Sequence, residues 1–219
     1  MKLIIMAAGK SSRFGKPKIG ETLKYNMDLF HDNFDSVNIF CSYDNLREIV
    51  EVTHPFRDRI ELFAFKDLGM GSGADIIKAG FFGEDVIVAW SDAIFTHKHI
   101  QKILTCENSS MLIAKVKNAY VNMRLSFDKV IGYSKGGAGF QDCSIFRLNK
   151  DYFEEMERHY KNKEIPHEFM DLLSVIPLSF IKVKRLPLNF NTQEEFKVVK
   201  KKLKEKGILW GFKPQEKDW

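Results

Sequence analysis

An α/β fold, a mostly parallel sheet with helices on both of its faces, is what this chain predicts, and three observations predict it. Strand-like and helix-like stretches alternate over residues 1–107, the rhythm of βαβ units. The first strand-like stretches are continuous apolar runs, the pattern of strands buried on both faces. After residue 110 the rhythm changes to strands with little helix between them, which adds a small antiparallel β extension.

In order, "KLIIMA" is the first buried strand. "GETLKYNMDLFHDNF" is a helix, with Leu23, Met27 and Phe30 at helical spacing. "DSVNIFCS" and "RIELFAF" are strands on either side of the helix "YDNLREIVEVTH". "GSGADIIKAGFF" opens at a Gly-Ser-Gly turn and continues as a helix, and "EDVIVAWSD" is a buried strand ending at Asp92. "HKHIQKILTCE" is the next helix, in which His97 and His99 read as surface residues, because i and i+2 on a helix do not face together. "SMLIAKVK", "MRLSFD", "KVIGYSK" and "DCSIFRLN" are the strands of the extension, with "GGAG" at 136–139 as a loop or a simple hairpin connection. "KDYFEEMERHYKN" and "HEFMDLLSVI" are helical and "FIKVKRLPL" is a late strand. "TQEEFKVVKKKLKEKG" is the terminal helix, with Thr192 as N-cap and Glu195 closing a capping box. The reading is one domain over 1–219, with a first half at 1–109 and a second at 110–219.

Composition narrows the class. With 219 residues, 44% hydrophobic and 29% charged, the chain can bury one good core. The three cysteines, Cys41, Cys106 and Cys143, are widely spaced without a CxxC, which argues against a disulfide framework or thiolate metal site and for a reducing, cytoplasmic setting. No apolar run reaches the roughly 18 residues of a membrane helix, so no membrane partner is expected. The net charge of +5 resides in residues 197–207, which hold six lysines against one glutamate. A lysine-rich terminal helix is first a solvated face, so nucleic acid is not expected either.

The chemistry concentrates in "MAAGKSSRFGKPK", residues 6–18, directly after the first strand. Loops at the carboxyl ends of strands are where open α/β sheets bind ligands. Gly9 lets backbone amides approach an anion, Ser11 and Ser12 add hydroxyl donors, Arg13 offers a fork of donors, and Lys16 and Lys18 add compact charges. The stretch lacks both the Walker frame and G-x-G-x-x-G.

Ala7, Ala8, Gly9, Ser11, Arg13, Phe14, Gly15, Pro17 and Lys18 resemble, in order, the L-A-A-G-x-[GS]-x-R-[MF]-G…P-K signature of the nucleotidyltransferase superfamily with a GT-A-type, Rossmann-like fold. The short spacing from Gly15 to Pro17 is most similar to its MobA-like branch. Three further segments fall where that family places them. "LGMGSGADI" resembles the second nucleotide loop, with Gly71, Ser72 and Gly73 as matching positions. "VIVAWSDA" resembles the strand ending in the metal-binding Asp, here Asp92, preceded by Ser91 instead of the usual Gly. "LNFNTQEEF" resembles the late N-T-x-E-[DE] segment, whose first residue, Asn191, completes the metal site.

The resemblance implies an enzyme transferring a nucleoside monophosphate from an NTP to a phosphorylated small molecule, with release of pyrophosphate. Ala7, Ala8, Gly9, Ser11, Ser12, Gly71, Ser72, Gly73 and Asp92 would bind the nucleotide. Asp92 and Asn191 would hold Mg²⁺, Lys18 would stabilise the α-phosphate, and Arg13 would hold the leaving pyrophosphate. Arg124 and Lys184 would meet the acceptor. Family members with Ala at the position of Ala8 tend to take CTP, so a cytidylyltransferase is favoured. Its acceptor would be a sugar phosphate, phosphocholine or a related metabolite for a surface polymer. The alternatives are a molybdopterin nucleotidyltransferase and a catalytically silent nucleotide-binding subunit; a homodimer is one option for an oligomeric state the sequence leaves open.

Overall fold

The computed structural model describes residues 1–7, 18–65, 83–163 and 169–205. The helix expected over 71–82, residues 206–219, and the candidates Ala8, Gly9, Ser11, Ser12, Arg13, Gly71, Ser72 and Gly73 lie outside the described residues. The chain is α/β and divides into two compact units. Among the described residues, one unit takes 1–7, 18–65, 89–101 and 187–205, and the other takes 83–88, 102–163 and 169–186.

In the first unit, β1 (Lys2–Ala7) lies parallel to β2 (Ser36–Ser42), and β2 lies parallel to β3 (Ile60–Phe65). The apolar runs "LII" and "IF" explain the arrangement, since Leu3, Ile4, Ile5, Ile39 and Phe40 are all at most 1% exposed. Sheet positions covered on both faces favour such runs over alternation. α1 (Ile19–Asn33) buries Leu23, Met27 and Phe30 as their spacing predicts, and α2 (Tyr43–Thr53) buries Ile49 and Val52. β4 (Val86–Trp90) crosses the division between the units along the chain, and the two-residue β5 (Ala93–Ile94) and α3 (His97–Leu104) come after it.

In the second unit the strand order is β9-β6-β10-β8-β7. β6 (Ser110–Val116) is antiparallel to β9 (Gly139–Leu148) and parallel to β10 (Leu178–Val183), while β8 (Lys129–Lys135) is antiparallel to both β10 and β7 (Val121–Ser126). The expected antiparallel character is present, with the β6–β10 pair as its exception. The "GGAG" segment connects β8 to β9 beside the start of β7. The Ala119 amide donates to the Gly137 carbonyl, and Gly136 and Gly137 have φ of 70° and 88°, a region that glycine enters without a Cβ penalty. α4 (Lys150–Tyr160) buries Tyr152, Phe153 and Met156. Of the helix expected through "HEFMDLLSVI", the described residues are regular over α5 (Phe169–Leu172). Its continuation is a set of turns, with the Ile176 amide donating to the Leu172 carbonyl at 2.8 Å before Pro177, which lacks an amide hydrogen to continue the ladder.

The first unit closes with β11 (Leu188–Asn189), antiparallel to β5, and α6 (Gln193–Glu205). Ile94, Phe190, Phe196, Val199 and Leu203 form one apolar cluster there. Neither two-residue strand was expected as such, because two residues carry no periodicity.

Candidate active site

Three segments far apart in sequence meet in the first unit. β1 ends at Ala7, which is buried and whose carbonyl accepts a 2.8 Å hydrogen bond from the Asn45 side-chain amide of α2. Lys18 stands at the N-cap of α1, and its carbonyl accepts from the Glu21 and Thr22 amides. After β4 the chain turns at Ser91 and Asp92. The Ser91 amide donates to the Met6 carbonyl at 3.2 Å, and the buried Thr22 hydroxyl donates to the Ser91 carbonyl. The turn carrying Asp92 is thus held by the end of the first strand and by the first turn of α1.

Asn26 fixes the next segment, β5. Its side chain is 2% exposed, donates to the Ala93 carbonyl at 2.7 Å, and accepts from the Phe95 amide at 2.9 Å. A buried amide that satisfies two backbone groups in this way makes β5 a rigid shelf next to Asp92. β11 pairs with that shelf, Asn189 opposite Ala93 and Leu188 opposite Ile94. Phe190 is fully buried, its ring 4.6 Å from that of Phe196. In extended chain the neighbours of an inward residue face the other way, so Asn189 and Asn191 are turned toward Asp92 and Lys18. The expected capping box then holds the end of this stretch. Glu195 Oε2 accepts from the amides of Asn191 and Thr192, and Thr192 Oγ1 accepts from the Glu195 amide at 3.2 Å.

Lys18 Nζ lies at the centre. It donates to the Phe190 carbonyl at 2.8 Å and to Asn191 Oδ1 at 3.2 Å, and stands 3.6 Å from Asp92 Oδ2. It also sits 5.7 Å from the centroid of the Phe190 ring. The Lys18 side chain is 12% exposed and that of Asp92 35%, so the ammonium is drawn into the oxygens while the carboxylate stays reachable. Asp92 Oδ2 also accepts from Asn189 Nδ2 at 3.2 Å, whereas Asp92 Oδ1 is buried and, among the described residues, without a hydrogen-bond partner.

These oxygens fit a divalent cation. A partnerless buried carboxylate oxygen is costly, and a cation relieves the cost. Asn191 adds an amide oxygen, and Mg²⁺ takes one or two protein oxygens while drawing the rest from water and phosphate. Among the described residues there is no group of three or more His, Cys, Asp or Glu that would make an all-protein cage.

The structure thus brings together Lys18, Asp92 and Asn191. Arg124 and Lys184 belong to the second unit. Arg124 lies against Gly132, where a Cβ would come within 2.7 Å of Nη2 and φ is +139°, so glycine is what lets the guanidinium cross the strand. Both side chains are exposed. His97 is on the surface as expected, but His99 is not. His99 is 4% exposed, and its Nδ1 accepts from the Thr96 amide at 3.1 Å. It caps α3 in the place a glutamate takes in a capping box, a reading that helical facing alone does not reveal. The residues that sequence reasoning missed are Thr22, Asn26 and Asn189. Asn26 had a signal: it falls on the apolar face set by Leu23, Met27 and Phe30, where a polar side chain must find partners.

No protein-family model matches the chain, and no curated protein sequence matches it. Its structure is similar to that of the inositol-1-phosphate CTP transferase from T. maritima, at TM-score 0.69 and 13% identity over 89% of this chain and 90% of that one. It is similar to the CTP:phosphocholine cytidylyltransferase of Streptococcus pneumoniae, at TM-score 0.65 and 10% identity over 92% and 98%. A third likeness is to the 4-diphosphocytidyl-2C-methyl-D-erythritol synthase of Anaerococcus prevotii, at TM-score 0.66 and 13% identity over 93% and 95%. This chain therefore shares the fold of those proteins over nearly their whole length.

Proposed function

We propose that this protein is a Mg²⁺-dependent nucleotidyltransferase that passes a nucleoside monophosphate from an NTP, CTP by preference, to a phosphorylated small molecule. The observation that carries the reading is the convergence of Lys18, Asp92 and Asn191 from three distant segments. A phosphate oxygen of the acceptor attacks the α-phosphorus in line, the new O–P bond forms, and the bond to the bridging oxygen of pyrophosphate breaks. No protein nucleophile is required, so the chain's work is positioning and electrostatics.

Each residue has a task in that scheme. Lys18 moves from its oxygens to the α-phosphate and stabilises the charge that grows there. Asp92 and Asn191 hold the cation, which when bound neutralises the phosphate oxygens and orients them. Arg13, Ser11, Ser12 and the amides near Gly9 grip the phosphates, Gly71, Ser72 and Gly73 contact the nucleoside, and Arg124 and Lys184 meet the acceptor. CTP is supported by Ala8 and by two relatives in fold whose names specify CTP. The acceptor class is a sugar phosphate, phosphocholine or similar phosphorylated metabolite. Three free, buried cysteines accord with a cytoplasmic setting. Among the described residues no helix is long and apolar enough to cross a membrane.

The test is pyrophosphate release with Mg²⁺, each of the four common NTPs and a panel of phosphorylated acceptors, for the wild type, Lys18→Ala and Asp92→Ala. Release with CTP that both substitutions abolish is the expected result. NTP binding without turnover on any acceptor would favour a silent nucleotide-binding subunit instead.

A further inference from the structure

We propose that Asn189 is a positioning residue that fixes the rotation of the Asp92 carboxylate, so that Oδ1 is the oxygen presented to the divalent cation; this rests on the functional reading above. A carboxylate turns about its terminal torsion, which has broad, two-fold preferences. Its two oxygens become different only when a neighbour holds one of them. Here Oδ2 is held and, among the described residues, Oδ1 is partnerless.

Two groups face Oδ2, and they differ in kind. Lys18 Nζ is 3.6 Å away, beyond hydrogen-bonding range, so its pull is electrostatic and only weakly directional. Asn189 Nδ2 is 3.2 Å away and donates a hydrogen bond. Lys18 must leave when its ammonium moves to the α-phosphate, and Asn189 is then the hold that remains. The Asn189 side chain is exposed, and among the described residues its one bond goes to Asp92. Its backbone, by contrast, is fixed by pairing with Ala93, and that shelf is itself clamped by Asn26. The donor is therefore placed by backbone that does not depend on the side chain it carries. A partner behind a metal ligand acts in this way on ligand orientation, and its loss commonly weakens metal binding by about 10–100-fold.

The experiment titrates the nucleotide-free full chain with Mn²⁺ and follows the free ion by electron paramagnetic resonance, alongside thermal unfolding. Asn189→Ala should bind Mn²⁺ at least about tenfold more weakly than wild type with an unchanged Tm. Asn189→Gln, which keeps an amide donor, should recover part of the loss, and Asp92→Ala should lose the site. Wild-type affinity in Asn189→Ala, with binding still lost in Asp92→Ala, would overturn the role of Asn189 and leave the nucleotidyltransferase reading standing. Equal weakening in the Ala and Gln variants, or a fall in Tm that accounts for it, would overturn the positioning role as well. Indifference of Mn²⁺ binding to Asp92→Ala would remove the metal site itself, and the positioning role with it.

Discussion

Replacing Lys18 by methionine should change two measurements in opposite directions. Methionine keeps an unbranched apolar stem but removes the ammonium, and with it the ammonium's contact with the Phe190 ring. That ammonium stands 3.6 Å from Asp92 Oδ2, 3.2 Å from Asn191 Oδ1 and 2.8 Å from the Phe190 carbonyl. In the free protein it therefore occupies Asn191 Oδ1, an oxygen that the divalent cation needs, and sets a positive charge against the Asp92 carboxylate that would hold the cation. At an effective dielectric near 20, one such charge pair is worth about 4–5 kcal/mol. Asp92 is 35% exposed, and solvent screening with side-chain entropy reduces the net value to about 1–2 kcal/mol. Since about 1.4 kcal/mol is a factor of ten, Lys18→Met should bind Mn²⁺ about tenfold more tightly than wild type when no nucleotide is present. Turnover should move the other way, because loss of a donor aimed at developing charge lowers kcat by about two to three orders of magnitude. A Mn²⁺ titration and a pyrophosphate-release assay on the same preparations read both. Unchanged or weaker Mn²⁺ binding in Lys18→Met would refute the competition between ammonium and cation.

Three further outcomes rest on contacts of the same kind. Asn26→Ala strips partners from the Ala93 carbonyl and the Phe95 amide, so urea unfolding should show a loss of about 2–4 kcal/mol, with weaker Mn²⁺ binding as the Asp92 turn loosens. Glu195→Ala opens the capping box and should cost about 1 kcal/mol, read by the same denaturation, while releasing the Asn191 amide. Burial raises the thiol pKa of Cys106 and Cys143 and pushes that of Cys41 up to about 11. The neutral thiol is the favoured form in the fold, so this contribution is fully present below the unfolded thiol value near 8.5 and is lost as pH rises toward and through 11. The urea midpoint should thus fall on the alkaline side, and a thiol reagent at neutral pH should label the cysteines only after unfolding.

How far the sequence reads can be judged at particular residues. The strand "KLIIMA" and the helix carrying Leu23, Met27 and Phe30 were legible because burial on one or both faces imposes a period that a one-dimensional pattern preserves. The capping box at Thr192 and Glu195 was legible for a related reason: both partners lie within one helical turn. Lys18, Asp92 and Asn191 were marked by motif, and the structure brings them within reach of one another. His99 and Asn189 were not legible. The burial of His99 depends on which face of α3 meets Phe95, and the bond of Asn189 depends on a residue 97 positions away.

By itself, then, the sequence determined the α/β rhythm, the local caps and the residue types available for phosphate and cation chemistry, because those depend on neighbours along the chain. Only the tertiary structure decided which oxygens surround the Lys18 ammonium, which oxygen of Asp92 is held, and that a two-residue pairing of β5 with β11 delivers Asn189 and Asn191 to the site. Those outcomes rest on contacts between segments separated by up to 173 positions, for which no local period or motif carries the distance.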